Sequence, residues 1–239
     1  MTPKNRVELR TPLNRERVLQ KGIELADVSG IDRLTMRNLG EELGVEAMSL
    51  YNHVANKTDL LNGMIDAVFG EIELPSHNDD WKTALRKRSV SLRDMLKRHP
   101  WANGLMDSAA TPGAATLRHH DRVIGTFRNA GFSLASTAHA LAVLDSYVYG
   151  FAKQDRALPF DTEEEAAAMG QVFLAHLPAS QYPYLHEFTA KHVLRAGYSF
   201  GKEFLHGLDL VLDALERDRD AEPHAGEPTT SAPDASEER

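Results

Sequence analysis

The stretch LTMRNLGEELGVEAMSLYNHVANKTDLL, residues 34–61, decides the fold. Thr35 suits a helix N-cap, and Met36, Leu39 and Leu43 then recur at i, i+3 and i+7, the spacing of one helical face. Gly44 follows as a tight turn. A third helix is expected over 46–54, with Leu50 and Val54 on one side. Asn56, Lys57 and Thr58 break it, and a fourth helix carries Leu60, Leu61, Met64, Ile65 and Val68. Just upstream, a helix fits 14–28: Asn14 caps it, Val18, Leu19, Gly22, Ile23 and Ala26 share a face, and Gly30 ends it. Short helices with a glycine turn between the second and third make a helix-turn-helix layout.

Further along, LPSHNDD (74–80) is a loop, and every later periodic segment reads as helix: 81–98, 116–129, 134–154, 163–176, 184–196 and 200–217. Pro100, Pro112, Pro159, Pro178 and Pro183 fall between them, where proline is tolerated. No run alternates with period two, so the expected class is all-α. The stretch LASTAHALAVLDSYVYGFA (134–152) is small or apolar nearly all round. The last helix carries Phe204, Leu208, Leu212 and Leu215, widened by Leu205 and Val211, with Gly201 and Gly207 permitting close approach. Helices apolar on more than one face must be covered on more than one face. A homodimer through 134–154 and 200–217 is the expectation.

Composition excludes several classes. With 239 residues and no cysteine, disulfide scaffolds, thiol nucleophiles and cysteine-ligated metal sites are out. No stretch approaches a bilayer span, and MTPKNRVELRTPLNRER lacks the apolar core of a secretory signal. A cytoplasmic location, with no membrane partner, is expected. The net charge of −8 is unevenly spread. Residues 1–60 hold nine bases (Lys4, Arg6, Arg10, Arg15, Arg17, Lys21, Arg33, Arg37, Lys57) against nine acids, so the whole deficit lies in the remainder. Residues 1–21 carry six bases against Glu8 and Glu16. A basic arm on an acidic chain suits a local polyanion contact, or is a solvated terminus. The expected organisation is a flexible basic arm at 1–12, a helix-turn-helix domain at 13–58 and a helical effector-binding and dimerisation domain at 59–217. Residues 218–239, polar and proline-rich, are expected to be a disordered acidic tail.

These segments resemble the TetR family, the tetracycline repressor-like regulators. The matching pieces are the Thr at the second helix cap, L-G-V across the turn, S-L-Y-x-H-V on the third helix and N-K opening the fourth. LNRERVLQKGIELADVSGIDRLT (13–35), the isolated Trp81, NAGFSLASTAHAL (129–141) and FLHGLDLVLDAL (204–215) extend the likeness over about 13–217. The resemblance implies operator DNA as partner. Arg37 falls where the family has a base-reading arginine, and a guanidinium can bond guanine O6 and N7 together. Thr35 falls at a helix N-terminus that suits a phosphate. Ser49, Tyr51, His53 and Lys57 match positions that contact phosphate or orient the helix. Met36, Ala47, Met48 and Asn52 fall on base-facing positions but differ from the tetracycline repressor. Apolar Met and Ala suit thymine methyls, and Asn52 suits adenine. Core packing is the alternative reading for Met36 and Met48, and for Met36 the two readings weigh evenly. Glu41, Glu42 and Glu46 oppose a strongly basic face.

The resemblance also implies a small-molecule effector. In ungapped register the repressor's drug and magnesium contacts fall on Glu73, Arg88, Met106, Ala109, Val123, Ser146 and Gln154, and none keeps the family residue. Met106 replaces the metal-binding histidine, and a thioether does not bind Mg2+, which takes hard oxygen ligands. The expected effector is therefore not magnesium–tetracycline. The expected pocket draws on Arg88, Leu92, Trp101, Met106, His120, Val123, Leu141, Ser146 and Tyr149. Arg88 meets an anionic ligand or lies at the surface of an amphipathic helix. A helical metalloenzyme is the first alternative, but only Glu203-Phe204-Leu205-His206 has the Glu-x-x-His spacing, and HEFTAKH (186–192) lacks zincin spacing. The adjacent His119 and His120 diverge by about 100° on a helix. No catalytic residue, metal or cofactor is expected. A regulator acting through protein contacts, with a weak DNA head, is the second alternative.

Overall fold

The structure is a computed structural model and describes residues 12–106, 111–160 and 162–222. The basic arm apart from Pro12, Ala109 of the ungapped register and the tail from 223 lie outside the described residues.

Among the described residues every regular element is helical. Four helices form the head: α1 (Arg15–Ser29), α2 (Met36–Leu43), α3 (Ala47–Leu50) and the first turns of α4 (Lys57–Phe69). The caps fall where the side chains ask for them. Asn14 accepts from the Arg17 N–H, Thr35 from Asn38 and Asn56 from Asp59. Gly44 ends α2 in the left-handed region at φ 69°, which glycine enters without strain. Gly40, inside α2, has a second role. A Cβ there would lie 2.9 Å from the Val45 carbonyl oxygen and 3.2 Å from the Ala47 nitrogen. Its missing side chain lets α2 and the start of α3 approach backbone to backbone.

The body consists of α5 (Trp81–Arg98), α6 (Ala114–Asn129), α7 (Leu134–Ala157), α8 (Glu163–His176), α9 (Pro183–Phe188) and α10 (Phe200–Ala221). Helix α5 packs on α6, α7 and α10, while α7 and α10 lie against each other. One apolar cluster runs through both parts, from Val18, Leu39 and Leu50 in the head, along Leu60, Met64, Val68 and Phe69 of α4, to Leu92, Phe127, Leu144 and Leu208. Helix α4 belongs to both: Met64 packs on Gly22 of α1, and Phe69 lies 5.5 Å from the His119 ring.

Several boundaries differ from expectation: α6 starts at Ala114 rather than 116, α7 runs on to Ala157 rather than 154, and three further differences change the reading more. The regular part of α3 covers only Ala47–Leu50, not 46–54. Glu46 supplies no capping bond, and residues 51–53 continue through bonds spanning three residues, such as His53 N–H to the Leu50 carbonyl at 2.9 Å. The segment at 184–196 is broken into α9 and a π-helical turn, Thr189–Val193. The helix expected to end at 217 continues to Ala221, so residues 218–221 are not tail. Arg219 explains the extension: its guanidinium lies 5.5 Å from the Trp81 ring and 5.6 Å from Phe132.

The two apolar helices largely cover one another. Leu144, Val148 and Phe151 of α7 are buried, as are Phe204, Leu208 and Leu212 of α10. Gly207 lets the Tyr147 hydroxyl approach and donate to the Phe204 carbonyl at 2.8 Å. Val143 and Leu134 of α7 and Leu205 and Leu210 of α10 remain exposed.

Candidate nucleic-acid interface and effector core

The head places its polar side chains by the way its helices are tied. Arg15 of α1 donates to the His53 carbonyl at 3.0 Å and to both Asp59 oxygens at 2.8 and 2.7 Å. Asp59 also accepts from the Ala55 N–H at 2.8 Å. The hydrogen bonds from Arg15 and Ala55, helped by the Arg15 charge, lower the Asp59 carboxyl to about 2. The end of the recognition segment is thereby fixed to α1 and α4 together.

On this frame the residues singled out from sequence separate clearly. Arg37 stands 85% exposed and pairs with Glu41 one turn on. Met48 is 74% exposed, and Tyr51, Asn52 and Lys57 are exposed too. A methionine held in solvent contributes nothing to the core, so for Met48 the packing alternative is excluded. Met36 differs from Met48: it is half-buried and packs part of its side chain against the core. Ala47, Ser49 and His53 are half-buried, and Ala47 lies beneath Gly40. The Thr35 oxygen caps Asn38, which leaves its hydroxyl proton free to donate.

In the body the nine expected pocket residues differ in burial. Arg88, Leu92, Trp101 and Val123 are buried; Met106, Leu141 and Tyr149 are half-buried; His120 and Ser146 are exposed, and Ser146 lies outside the buried group. Arg88 is not a surface arginine. It is 1% exposed and sits between helices, donating to Asp145 of α7 at 2.6 Å and to the His119 ring of α6. Sequence reading missed His119 and Asp145, which lie 31 and 57 residues from Arg88. Burial and the Arg88 charge push the His119 imidazole down to about 3, so it is neutral. Among the described residues its Nδ1 has no hydrogen-bond partner.

Helix α4 connects this core to the head. Asp66 accepts from the Thr116 N–H at 2.8 Å and hydroxyl at 2.9 Å, capping the first turn of α6. Gly113 makes room, since a Cβ there would collide with the Asp66 carboxylate. A family model described as the tetracyclin repressor-like C-terminal domain matches residues 74–219. The chain belongs to the TetR family of transcriptional regulators. An HTH-type transcriptional regulator from Saccharopolyspora erythraea is 33% identical over 62% of this chain and 63% of its own length. The repressor DrrR1 of Streptomyces coeruleorubidus is 29% identical over 85% of this chain and 77% of its own. The solved structure of Streptomyces coelicolor ActR with actinorhodin superposes with a TM-score of 0.70 at 24% identity, over 87% of this chain and 99% of that one.

Among the described residues no group of three His, Asp or Glu side chains could hold a metal, and no helix is long and apolar enough to cross a membrane. Glu203, from the one Glu-x-x-His match, lies 3.4 Å from His192 of the π-helical turn.

Proposed function

We propose that this chain is an operator-binding repressor, working as a homodimer in the cytoplasm and released by a small molecule other than magnesium–tetracycline. The exposed face of Arg37, Met48, Tyr51 and Asn52 carries the DNA half of this reading. These four side chains project from a segment whose backbone is held by Arg15, Gly40 and Asp59, and Lys57 and the Thr35 helix end flank them. Base contacts from the middle and phosphate contacts from the edges are what groove reading requires. Ser49 and His53 orient the segment, with Ala47 at its start. The name of DrrR1 supports the repressor reading.

The effector half rests on the core around Arg88, Leu92, Trp101, Met106, Val123, Leu141 and Tyr149, beside α4. A ligand that prefers one arrangement of this core shifts the population of head positions by its differential affinity. ActR, of the same fold, holds actinorhodin. The exposed Val143, Leu205 and Leu210 support a second copy pairing through α7 and α10, since exposed apolar side chains of this kind mark interfaces. The structure adds exposed apolar side chains on α8 and α9, among them Val172, Phe173, Tyr184 and Phe188, outside the helices expected to pair.

A gel-shift titration of the purified full-length protein on the DNA flanking its own gene tests the reading. A salt-sensitive, sequence-selective complex of two chains per duplex supports it. Binding indifferent to sequence would overturn it.

A further inference from the structure

Asp27 stands in the last turn of α1, where a carboxylate opposes the helix dipole and aspartate has a poor helix propensity. Its locally unfavourable position is explained by what it touches in the body. One oxygen accepts the Trp101 indole N–H at 2.7 Å, and His99 Nδ1 lies 2.8 Å from the same oxygen and 3.0 Å from the other. The other ring nitrogen of His99 faces Glu71, just past α4, at 3.2 Å, and Arg98 donates to that same Glu71 oxygen at 2.7 Å. His99 and Trp101 are both nearly buried. Three segments, the ends of α1, α4 and α5, are thus knotted by charge-assisted hydrogen bonds.

Trp101 is also part of the apolar core of the body. At the far end of α1, Arg15 holds the His53 carbonyl and Asp59. The twelve helical steps from Arg15 to Asp27 form a rod of about 18 Å. Its two ends are anchored to different things, the body core and the reading segment.

We propose that Asp27 is a joint, gripped by Trp101 and His99, through which the body core sets the position of the reading head along α1. This route is separate from the Asp66–Thr116 contact on α4. The proposal rests on the DNA-binding reading for its functional half only. If it holds, coupling must be reciprocal: DNA on the head must be felt at Trp101.

The chain has two tryptophans, so 5-fluorotryptophan labelling of the full-length protein gives two 19F signals, assigned with Trp81→Phe. Trp81, packed on Phe127 and Phe132, is the internal control. The probe is the duplex that the protein enriches from a random pool. The expected result is that the Trp101 signal moves on duplex addition while Trp81 does not. In Asp27→Asn, which cannot accept both donors as a carboxylate does, the movement is lost and duplex Kd rises about fivefold or more. A Trp101 signal unmoved at saturation, or moving equally in Asp27→Asn, would overturn the joint. A second arm needs no DNA. Trp101→Phe keeps the ring but removes the donor, and should raise amide exchange in residues 23–30 of the head. Unchanged exchange there would overturn the joint whatever the duplex does. Failure to enrich any duplex, with the exchange response intact, would instead count against the DNA-binding reading and leave the joint standing.

Discussion

The Arg88 guanidinium donates twice to one nitrogen of His119, from Nε at 3.1 Å and Nη2 at 2.9 Å to Nε2. A nitrogen that accepts from a guanidinium cannot carry a proton, so the proton of the neutral ring lies on Nδ1. The Nδ1–H is buried and finds no partner among the described residues. An unpaired buried donor costs about 1–3 kcal/mol, which an acceptor brought to it by a bound effector would offset.

This pair gives stability a pH dependence of defined sign. The His119 imidazole titrates at about 3 in the folded chain and about 6.5 in the unfolded one. Below pH 6.5 the unfolded state takes up a proton that the folded state refuses. Stability should therefore fall as pH drops from 6.5 toward 3, by about 2 kcal/mol from this group at pH 5. Denaturant midpoints for the wild type and His119→Phe between pH 5 and 8 check this. The variant should lose that part of the slope.

Gly40→Ala and Gly125→Ala should act in opposite directions. The first drives a methyl into the Val45 carbonyl and the Ala47 backbone, neither of which can swing aside. About 1–3 kcal/mol of destabilisation is expected, together with a disturbed reading segment. Gly125, inside α6, faces open space, and alanine there should stabilise by about 0.4–1 kcal/mol. Thermal melts of the two variants give the comparison.

Asp59→Ala removes the acceptor that ties Arg15, Ala55 and α4 together. The pair is partly exposed, so its effect is discounted to about 1–2 kcal/mol. The folded carboxyl lies below its unfolded value, so this contribution is complete above the unfolded value and is lost as pH falls toward 2. Thermal unfolding at pH 7 and pH 3 should show Asp59→Ala and wild type converging in acid.

Arg37 and Lys57 are predicted to fail differently. Neither is buried, so alanine at either should leave the melting curve within about 0.5 kcal/mol of wild type. Arg37→Ala should cost about 1–3 kcal/mol of binding and relax one base position. Lys57→Ala should weaken all duplexes alike and lower the salt slope by about one. Fluorescence anisotropy on matched and mismatched duplexes over a salt series separates them.

Much of this was legible in the chain because local signals agreed. Helix α5 runs Trp81–Arg98 as read, since Asp80 caps it and Pro100 follows. Asn14 and Thr35 cap the helices assigned to them. The shortness of α3 was not legible: Tyr51, Asn52 and His53 keep a helical spacing while the chain passes into tighter turns. Nor was the burial of Arg88, because its partners come from two other helices and no local pattern announces them. Met36 was undecided from spacing alone, since the rim of the core and the DNA-facing side adjoin on so short a helix.

Selection of duplexes from a random pool by the full-length protein tests the central claim most directly. Two heads on one helical body should enrich a two-fold symmetric site whose half-sites lie about 34–36 Å apart, centre to centre. Arg37→Ala should lose preference at one base pair in each half. A single unpaired half-site, or no enrichment at any salt concentration, would contradict it.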